Sequence, residues 1–201
     1  LGTFISVAVV TLGAYPLSRA GRTLRGRSFY TVFFMITMFF SGGLVPTYIV
    51  ISKLGLMNNI LALVLPTAMN AWNMVLLINF FRLVPKEMEE AAKMEGAGHY
   101  TILLRIVIPI SLPAIATVTL FTAVQHWNNW FDGLIYMNAD YVPLQSYIYN
   151  MINEQSGTGN NVITNPEEAA IAQNTTIKTL QSAQIFIAIL PILPLYPFAQ
   201  K

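Results

Sequence analysis

The segment that decides the fold is VPKEMEEAAKMEGAG, residues 84–98, a charged stretch between two long apolar runs. It contains four of the nine acidic residues of the chain. Pro85 can open a helix because its missing N–H would be unpaired in the first turn anyway, and the glutamates that follow lie near the positive end of the helix dipole. Gly96 and Gly98 are expected to end the helix. The segment therefore predicts a short helix closed by a glycine turn.

One face of this helix is predicted to be a docking surface. With 3.6 residues per turn, that face carries small apolar side chains edged by a carboxylate, namely Val84, Met88, Ala91, Ala92 and Glu95. A shallow apolar strip of this kind suits docking into a groove of another protein.

A second helical run covers residues 100–109 and leads without a loop into the next apolar segment. Together the two runs carry the spacing E-A-A, three residues, G, nine residues, I-x-x-P, at Glu90, Ala91, Ala92, Gly96, Ile106 and Pro109. This pattern resembles the EAA motif of binding-protein-dependent ABC-transporter permeases, which usually has leucine at the position of Ile108. The resemblance implies that residues 85–104 are cytoplasmic helices that couple the chain to an ATPase. The alternative is an ordinary amphipathic helical hairpin.

Composition indicates a membrane protein, because 55% of the 201 residues are hydrophobic, 10% are charged and the mean hydropathy is +0.56. Five runs without charge are each close to or above the length that crosses a bilayer as a helix, at 1–18, 28–52, 54–81, 106–131 and 179–200. We predict an all-α, polytopic bundle with five membrane helices and a cytoplasmic coupling helix, in one transmembrane domain over residues 1–201.

The basic residues predict the orientation. Nine of the eleven lie in the first loop, the third loop or the C-terminus, whereas only Lys53 and Lys178 lie in the other loops. The first and third loops are therefore expected in the cytoplasm. Leu1 would then lie outside, which predicts a sixth, preceding helix in the intact protein, and the resemblance implies a short further tail after Lys201.

The first helix, expected from Thr3 to Leu17, ends in AYPLSR at residues 14–19, which resembles the A-Y-x-L-S-R ending of sugar-uptake permeases. The next loop nearly spells a phosphate-binding P-loop, but Arg27 replaces its lysine and no strand precedes it. The chain therefore has no usable nucleotide-binding loop.

Two apolar runs contain residues that are unusual in a membrane. In the second helix, expected from Phe29 to Ile51, the cluster SGGLVP at residues 41–46 predicts a kink or a close helix contact. Asn70 and Asn73 interrupt the third helix, expected from Ile60 to Phe81, and they must face protein or water. Either they line a substrate pathway or they join helices by hydrogen bonds.

A mixed aromatic and polar segment follows the fourth helix, which is expected from Ile108 to Trp127. Trp127, Asn128 and Asp132 combine an aromatic face with amide and carboxylate groups, which suits a sugar as well as a membrane boundary. The run WNNWFDGLIY, residues 127–136, also resembles carbohydrate-uptake permeases. The three residues are therefore candidate pathway residues, with an aromatic belt as the alternative.

Residues 138–178 form the predicted external segment, with a short amphipathic helix from Leu144 to Ile152. Its place suits contact with a delivering protein, and a simple lid over the bundle explains it equally well. Glycines, asparagines and serines dominate the stretch QSGTGNN at 155–161, which predicts a turn-rich loop.

The resemblance implies an all-helical permease of the maltose or oligosaccharide uptake type, working by alternating access in the cytoplasmic membrane. Its expected partners are a second permease subunit that forms a heterodimer with this chain, a cytoplasmic ABC ATPase dimer, an external solute-binding protein, the bilayer and a sugar. No cofactor, metal or nucleic acid is expected. The alternatives are a permease for a non-sugar solute and an ion-coupled transporter or channel, although no run carries a buried charge of the kind that ion coupling uses.

Overall fold

Helices make up all the regular structure in the described part of the chain. The computed structural model describes residues 1–19, 26–138, 141–155, 179, 182–183, 185–191 and 193. The helices are α1 Gly2–Ser18, α2 Arg27–Phe39, α3 Leu44–Lys53, α4 Ile60–Val64, α5 Ala71–Arg82, α6 Lys86–Met94, α7 His99–Ile102, α8 Ile108–Ile110, α9 Leu112–Trp127, α10 Phe131–Tyr136 and α11 Leu144–Gln155. A π-helical turn, Leu103–Val107, joins α7 to α8. The predicted all-α class is confirmed.

The main contact of the first unit, Leu1–His126, is between α1 and α5. Its core is apolar and draws on both helices and on the segments after α6, with Val10, Ala14, Met74, Leu77, Phe81, Ile102, Val107 and Val118 among its buried members. Gly13 permits a close approach of α1 to α5, because a Cβ at Gly13 would lie 3.2 Å from Met74 Cε. The helix predicted from Thr3 to Leu17 is confirmed as α1.

The second predicted helix is not continuous. It is broken between α2 and α3, which meet at an angle of 116°. Gly43 lies at the break with φ +83° and ψ 178°, a conformation that only glycine adopts readily. The kink predicted at residues 41–46 is therefore confirmed, whereas a single helix from Phe29 to Ile51 is wrong.

The third predicted helix is also divided. Its first part is α4, which Asn59 caps by accepting a hydrogen bond from the Leu61 N–H, and its second part is α5, which Asn70 caps through the Asn73 N–H. Pro66 lies between the two parts and removes a backbone donor. An N-cap residue begins a helix rather than continuing one, so the prediction of one helix from Ile60 to Phe81 is wrong.

The fourth predicted helix bends at its start. The segment His99–Ile110 meets α9 at an angle of 83°, and Ser111 between them has φ −94° and ψ 13°. Pro109 and Pro113 flank this residue, and each lacks the N–H that would bond to the carbonyl four residues earlier. The continuous helix expected from Ile108 to Trp127 therefore begins only at Leu112.

Among the described residues, no helix taken alone has both the length and the apolar character needed to cross a membrane. The bent pairs α2 with α3 and His99–Ile110 with α9 meet those requirements jointly, by length and composition. The count of five membrane helices stays a prediction.

The second unit, Trp127–Lys201, contains α10 and α11, and residues 185–189 are helical as well. Gly133 of α10 lies against α11 so closely that a Cβ there would be 2.2 Å from Ser146 Oγ. The same hydroxyl donates a 2.5 Å hydrogen bond to the Trp130 carbonyl, and the Trp130 ring stacks on Tyr149 with centroids 4.1 Å apart. The helix predicted from Leu144 to Ile152 is confirmed by α11. The loop predicted at 155–161 lies outside the described residues, except for Gln155 at the end of α11.

Candidate functional site

The predicted charged helix is present as α6, and Pro85 precedes it as the N-cap residue with φ −55° and ψ 134°. Glu87 and Glu89 lie in the first turn and Lys93 lies in the last turn. Acidic side chains near the N-terminus and a basic one near the C-terminus complement the helix dipole, which stabilises a helix of only nine residues.

The glycine of the EAA-like motif ends α6 in a Schellman turn. Gly96 has φ +83°, its N–H donates to the Lys93 carbonyl at 3.0 Å, and the Ala97 N–H donates to the Ala92 carbonyl at 2.9 Å. These two bonds satisfy carbonyls that the end of a helix leaves unpaired. Ala92 and Ala97 flank this turn and both pack against the core. The A-x-x-x-G spacing is thus the spacing of the turn itself.

The buried face of α6 differs from the face predicted for docking. Val84, before the helix, is buried and Ala92 is half-buried against the core of the same chain, whereas Met88, Ala91 and Glu95 are exposed. The predicted single strip of five residues is therefore wrong. The helix faces inward along Glu89 and Ala92, because these two residues are about one turn apart on the same face.

Glu90 and Ala91 lie on the exposed side of α6, where a partner can reach them. Large apolar side chains are exposed nearby, with Met94 at 90% of its full accessibility, and the others are Leu83, Met88, Tyr100 and Leu104. Isolated exposed apolar residues are ordinary, but several around one short helix indicate an interaction surface. We call Glu90, Ala91 and these five residues the α6 surface.

Three motif residues line a cavity of about 390 Å³ beside the Schellman turn. These are Ala92, Gly96 and Ile106, and the charged residues Glu95 and Arg105 contribute to the same cavity. Ile106 lies in the π-helical turn and is partly buried against the core. Pro109 is exposed in α8, at the bend before α9. The structure therefore brings together Ala92, Gly96 and Ile106 and leaves Pro109 further along the chain.

One buried ion pair connects α6 to the end of α1. The Arg19 guanidinium contacts Glu89 through Nη1 and Oε1, with both side chains at less than a tenth of their full accessibility. Lys93 Nζ lies 4.0 Å from Glu89 Oε2 and is half exposed. The Arg19 guanidinium also lies 5.3 Å from the centre of the Tyr15 ring, in a cation–π contact.

Sequence reasoning missed this pair, although both residues stand in segments that it singled out. Arg19 ends the AYPLSR segment, and Glu89 precedes the EAA-like triad. The available signal was the i, i+3 relation of Glu89 to Ala92, which places a carboxylate on the inward face of the helix.

Asn70 and Asn73 make hydrogen bonds between helices. Asn73 is 4% exposed, and its Nδ2 donates to Thr122 Oγ1 of α9 at 3.3 Å. Asn70 Nδ2 donates to Gln125 Oε1 at 3.5 Å. The next residue of α9, His126, has Nε2 at 3.1 Å from Ser6 Oγ of α1. The residues of α9 at positions 122, 125 and 126 therefore form a polar stripe that joins it to α5 and α1, which supports the interhelical alternative for Asn73.

Trp127, Asn128 and Asp132 belong to the second unit. Trp127 Nε1 donates to the Ala188 carbonyl at 3.0 Å, and Asp132 Oδ2 accepts a hydrogen bond from Asn129 Nδ2 at 2.8 Å. Asn128 is exposed and lines a second cavity of about 320 Å³ together with Trp130 and Tyr149. Hydrogen bonds hold Trp127 and Asp132 in place, and the exposed amide of Asn128 leaves it the most accessible of the three.

No group of three or more histidine, aspartate or glutamate side chains suited to a metal ion occurs in the described part of the chain. The first unit instead has a short, mostly exposed helix, α6, followed by the Schellman turn at Gly96. A buried ion pair between Glu89 and Arg19 connects this helix to the end of α1. Such an arrangement can bind another protein and transmit its movement.

Comparison with known proteins identifies the family. Residues 5–199 match the family described as binding-protein-dependent transport system inner membrane component. The whole chain is 39% identical over 202 residues to the polygalacturonan/rhamnogalacturonan transport system permease protein YtcP of Bacillus subtilis, and 38% identical over 204 residues to Protein LplC of the same organism. It covers 68% and 66% of their lengths, about two thirds in each case.

A solved structure gives the same result for the fold. With a TM-score of 0.83 and 32% identity, the chain superposes on a bacterial ABC transporter involved in the import of the acidic polysaccharide alginate, over 99% of this chain and 69% of that one. The match of nearly the full sequence and the likeness of the fold agree with the EAA-like motif at residues 90–109. The chain belongs to the binding-protein-dependent transport system inner membrane components, and is a transport permease of the membrane rather than an enzyme.

Proposed function

We propose that this chain is the permease subunit of an ATP-driven importer that moves an oligosaccharide across the cytoplasmic membrane. The observation that carries the proposal is its similarity over the whole chain to a permease named for polygalacturonan and rhamnogalacturonan transport. The likeness to a transporter of the polysaccharide alginate supports the same class of solute. The mechanism is alternating access, in which the pathway opens to one side of the membrane at a time.

The α6 surface is the proposed docking site of a separate ATPase subunit. Its exposed apolar side chains supply the contact area, and Glu90 can accept a charge-assisted hydrogen bond from a basic group. The Schellman turn at Gly96 directs the chain from α6 back toward the core through Ala97. A helix that lies in a groove of its partner is an established mode of recognition between proteins.

The remaining partners are a second permease subunit, which forms the pathway together with this chain, and an external solute-binding protein. Of the nine large apolar side chains of α2, from Phe29 to Phe39, eight are exposed and Phe34 is half-buried, and no residue of α2 is buried in this chain alone. Such a face suits lipid or a second permease. The external segment 138–178, which includes α11, is the proposed contact for the binding protein.

Reconstituted transport tests the proposal. The full-length permease is purified with its partner permease and ATPase, placed in liposomes and supplied with its binding protein and ATP. Uptake of a labelled oligogalacturonide and of a malto-oligosaccharide is compared with uptake of an amino acid. We expect ATP-dependent uptake of a saccharide. Uptake of the amino acid alone would contradict the assignment of a sugar, and uptake without ATP or an ATPase would contradict the importer.

A further inference from the structure

We propose that Arg19 and Glu89 are positioning residues that make α6 and the end of α1 move as one body. The buried ion pair passes a displacement of α6 directly to α1 and so to the bundle. The inference rests on the proposed role of α6 as the docking helix of an ATPase, and it adds the route by which the movement leaves that helix.

The attachment of α6 to the rest of the chain depends on Glu89. Of the nine residues of α6, all of which are described, Glu89 alone is buried, at 6% exposure, and Ala92 is half-buried. The other seven side chains are exposed. Apart from the backbone on either side, the helix is therefore held by one carboxylate and one methyl group. A methyl group fixes neither direction nor distance strongly. The position of α6 therefore depends mainly on the contact of the Glu89 carboxylate.

The other end of the contact is held in place by α1. Arg19 follows the helix directly, and its carbonyl accepts a 2.6 Å hydrogen bond from Arg27 Nη1. Its guanidinium lies over the Tyr15 ring, which is buried one turn earlier in α1. In turn, α1 packs along α5 through buried apolar side chains. A displacement of Glu89 therefore acts on the Arg19 guanidinium, which is held in place at the end of the well-packed helix α1.

Stability alone does not account for this ion pair. Removing two charges from water is costly, and replacing a buried pair by apolar side chains of similar size is often neutral or stabilising. The cost is incompletely recovered here, because Arg19 Nε and Nη2 and Glu89 Oε1 are buried without a hydrogen-bond partner among the described residues. In this proposal, what the charged pair adds over an apolar pair is a short charge–charge contact that favours one arrangement of the two helices.

Lys93 provides a matched control. It lies one turn after Glu89 on the same helix, but its ammonium is half exposed and 4.0 Å from the carboxylate. An exposed pair at this distance contributes little. Lys93→Ala therefore removes a charge near Glu89 without removing the tie to α1.

The experiment compares the apolar pair Arg19→Met/Glu89→Leu, the reversed pair Arg19→Glu/Glu89→Arg and Lys93→Ala in the reconstituted transporter. For the apolar pair we expect normal membrane abundance, normal recovery with the ATPase and continued ATP hydrolysis. Uptake per ATP hydrolysed should fall about tenfold, within the usual range for coupling between sites. The reversed pair should recover much of this loss, and Lys93→Ala should behave as the unmodified protein.

A second measurement needs no solute. Spin labels on Met94→Cys of α6 and Leu12→Cys of α1, both exposed positions, report the distance between the two helices in the full-length permease. We expect a narrow distribution with the native pair and with Lys93→Ala, and a broad one with the apolar pair.

The proposal is overturned if the apolar pair keeps normal uptake per ATP, if its label distances stay as narrow as those of the native pair, or if it is lost from the membrane, which would make the pair a requirement for folding. The experiment gives a different result if the proposed function itself is wrong. If the unmodified permease takes up no solute with ATP, the importer assignment falls, while the label distances still decide whether Arg19 and Glu89 hold the two helices together.

Discussion

The N–H of Ala97 donates a hydrogen bond to the carbonyl of Ala92 at 2.9 Å, across the left-handed turn at Gly96. This bond fixes where the chain leaves α6 and therefore how the α6 surface is presented. Two residues of the EAA-like motif, Ala92 and Gly96, thus take part in one backbone structure.

Replacing Gly96 should weaken docking in proportion to the cost of a positive φ. No atom lies within 4 Å of a Cβ built at this position, so the cost is conformational rather than a clash. We expect about 1 kcal/mol for Gly96→Ala, more for the β-branched Gly96→Val, and less for Gly96→Asn because asparagine tolerates this conformation. Recovery of the ATPase from membranes with each variant measures the effect.

Gly98 is the control for this series. It has φ −75° and ψ 164°, which any residue adopts, and a Cβ there also meets no atom within 4 Å. Gly98→Ala should leave ATPase recovery unchanged. If Gly96→Val retains the ATPase as well as Gly98→Ala does, the turn is not needed for docking.

The two alanines of the motif should fail in different ways when enlarged. Ala92 is half-buried against the core, so Ala92→Leu overpacks it, at a typical cost of about 1–3 kcal/mol. Ala91 is exposed, so Ala91→Leu should fold normally and still hold α6 away from its partner. Thermal unfolding of the purified permease and ATPase recovery separate the two effects. A loss of stability with Ala91→Leu, or none with Ala92→Leu, would contradict the inward direction of Ala92.

Asn73 and Asn128 should separate helix packing from the proposed pathway. Asn73 is buried and bonded to Thr122, so Asn73→Ala should lower stability by about 0.6 kcal/mol, the average for such bonds between membrane helices. Asn128 is exposed, so Asn128→Ala should leave stability unchanged and reduce sugar uptake. Detergent-solubilised thermal unfolding is compared with uptake. Parallel losses in both quantities for Asn128→Ala would favour the aromatic-belt interpretation of its segment.

Gly133→Ala should disrupt the packing of α10 on α11. A Cβ at Gly133 would lie 2.2 Å from Ser146 Oγ and 2.8 Å from Pro143 Cδ, so neighbouring atoms must move. We expect a loss of about 1–3 kcal/mol, typical of overpacking. Gly42→Ala is the matched control, because the nearest atom to its Cβ is 3.9 Å away. Limited proteolysis within the second unit measures the change, and equal resistance of the two variants would contradict the close contact.

The orientation can be tested directly because the chain contains no cysteine. Single cysteines at Arg22 and Lys93 should be protected in intact cells from a reagent that does not cross the membrane, whereas cysteines at Lys53 and Asn160 should react. Arg22 and Asn160 lie outside the described residues, and Lys53 and Lys93 are exposed. Labelling of positions 22 and 160 from the same side would contradict the predicted topology.

Local signals in the sequence were sufficient for much of the fold. Pro85 and Gly96 mark the ends of α6, and the glycines at 42 and 43 mark the break between α2 and α3, because each acts through its own backbone. The bend at Ser111 was less obvious, since it results from two prolines acting together within an apolar run.

The direction in which α6 faces could not be predicted in the same way. Apolar periodicity assigned Met88 and Ala91 to the same face as Val84 and Ala92, because hydrophobicity alone does not distinguish a surface for a partner from one for the core. The inward position of Glu89 depends on Arg19, which is remote in sequence, and a buried carboxylate becomes tolerable only when the fold provides its partner.

The π-helical turn Leu103–Val107 changes which side of the helical segment faces the core before and after it. Ile102 and Val107 are both fully buried although they are five residues apart, a separation that turns a regular α-helix of 3.6 residues per turn through about 500°, or about 140° beyond a full turn. The wider turn absorbs part of this excess and allows both side chains to enter the same core. The segment before the π-helical turn and the segment after it can therefore each be rotated about the helix axis so that their buried side chains face the core. Deleting one residue from the turn would restore a regular helix and rotate α7 away from the core, while the length of the connection would change by little more than one helical rise.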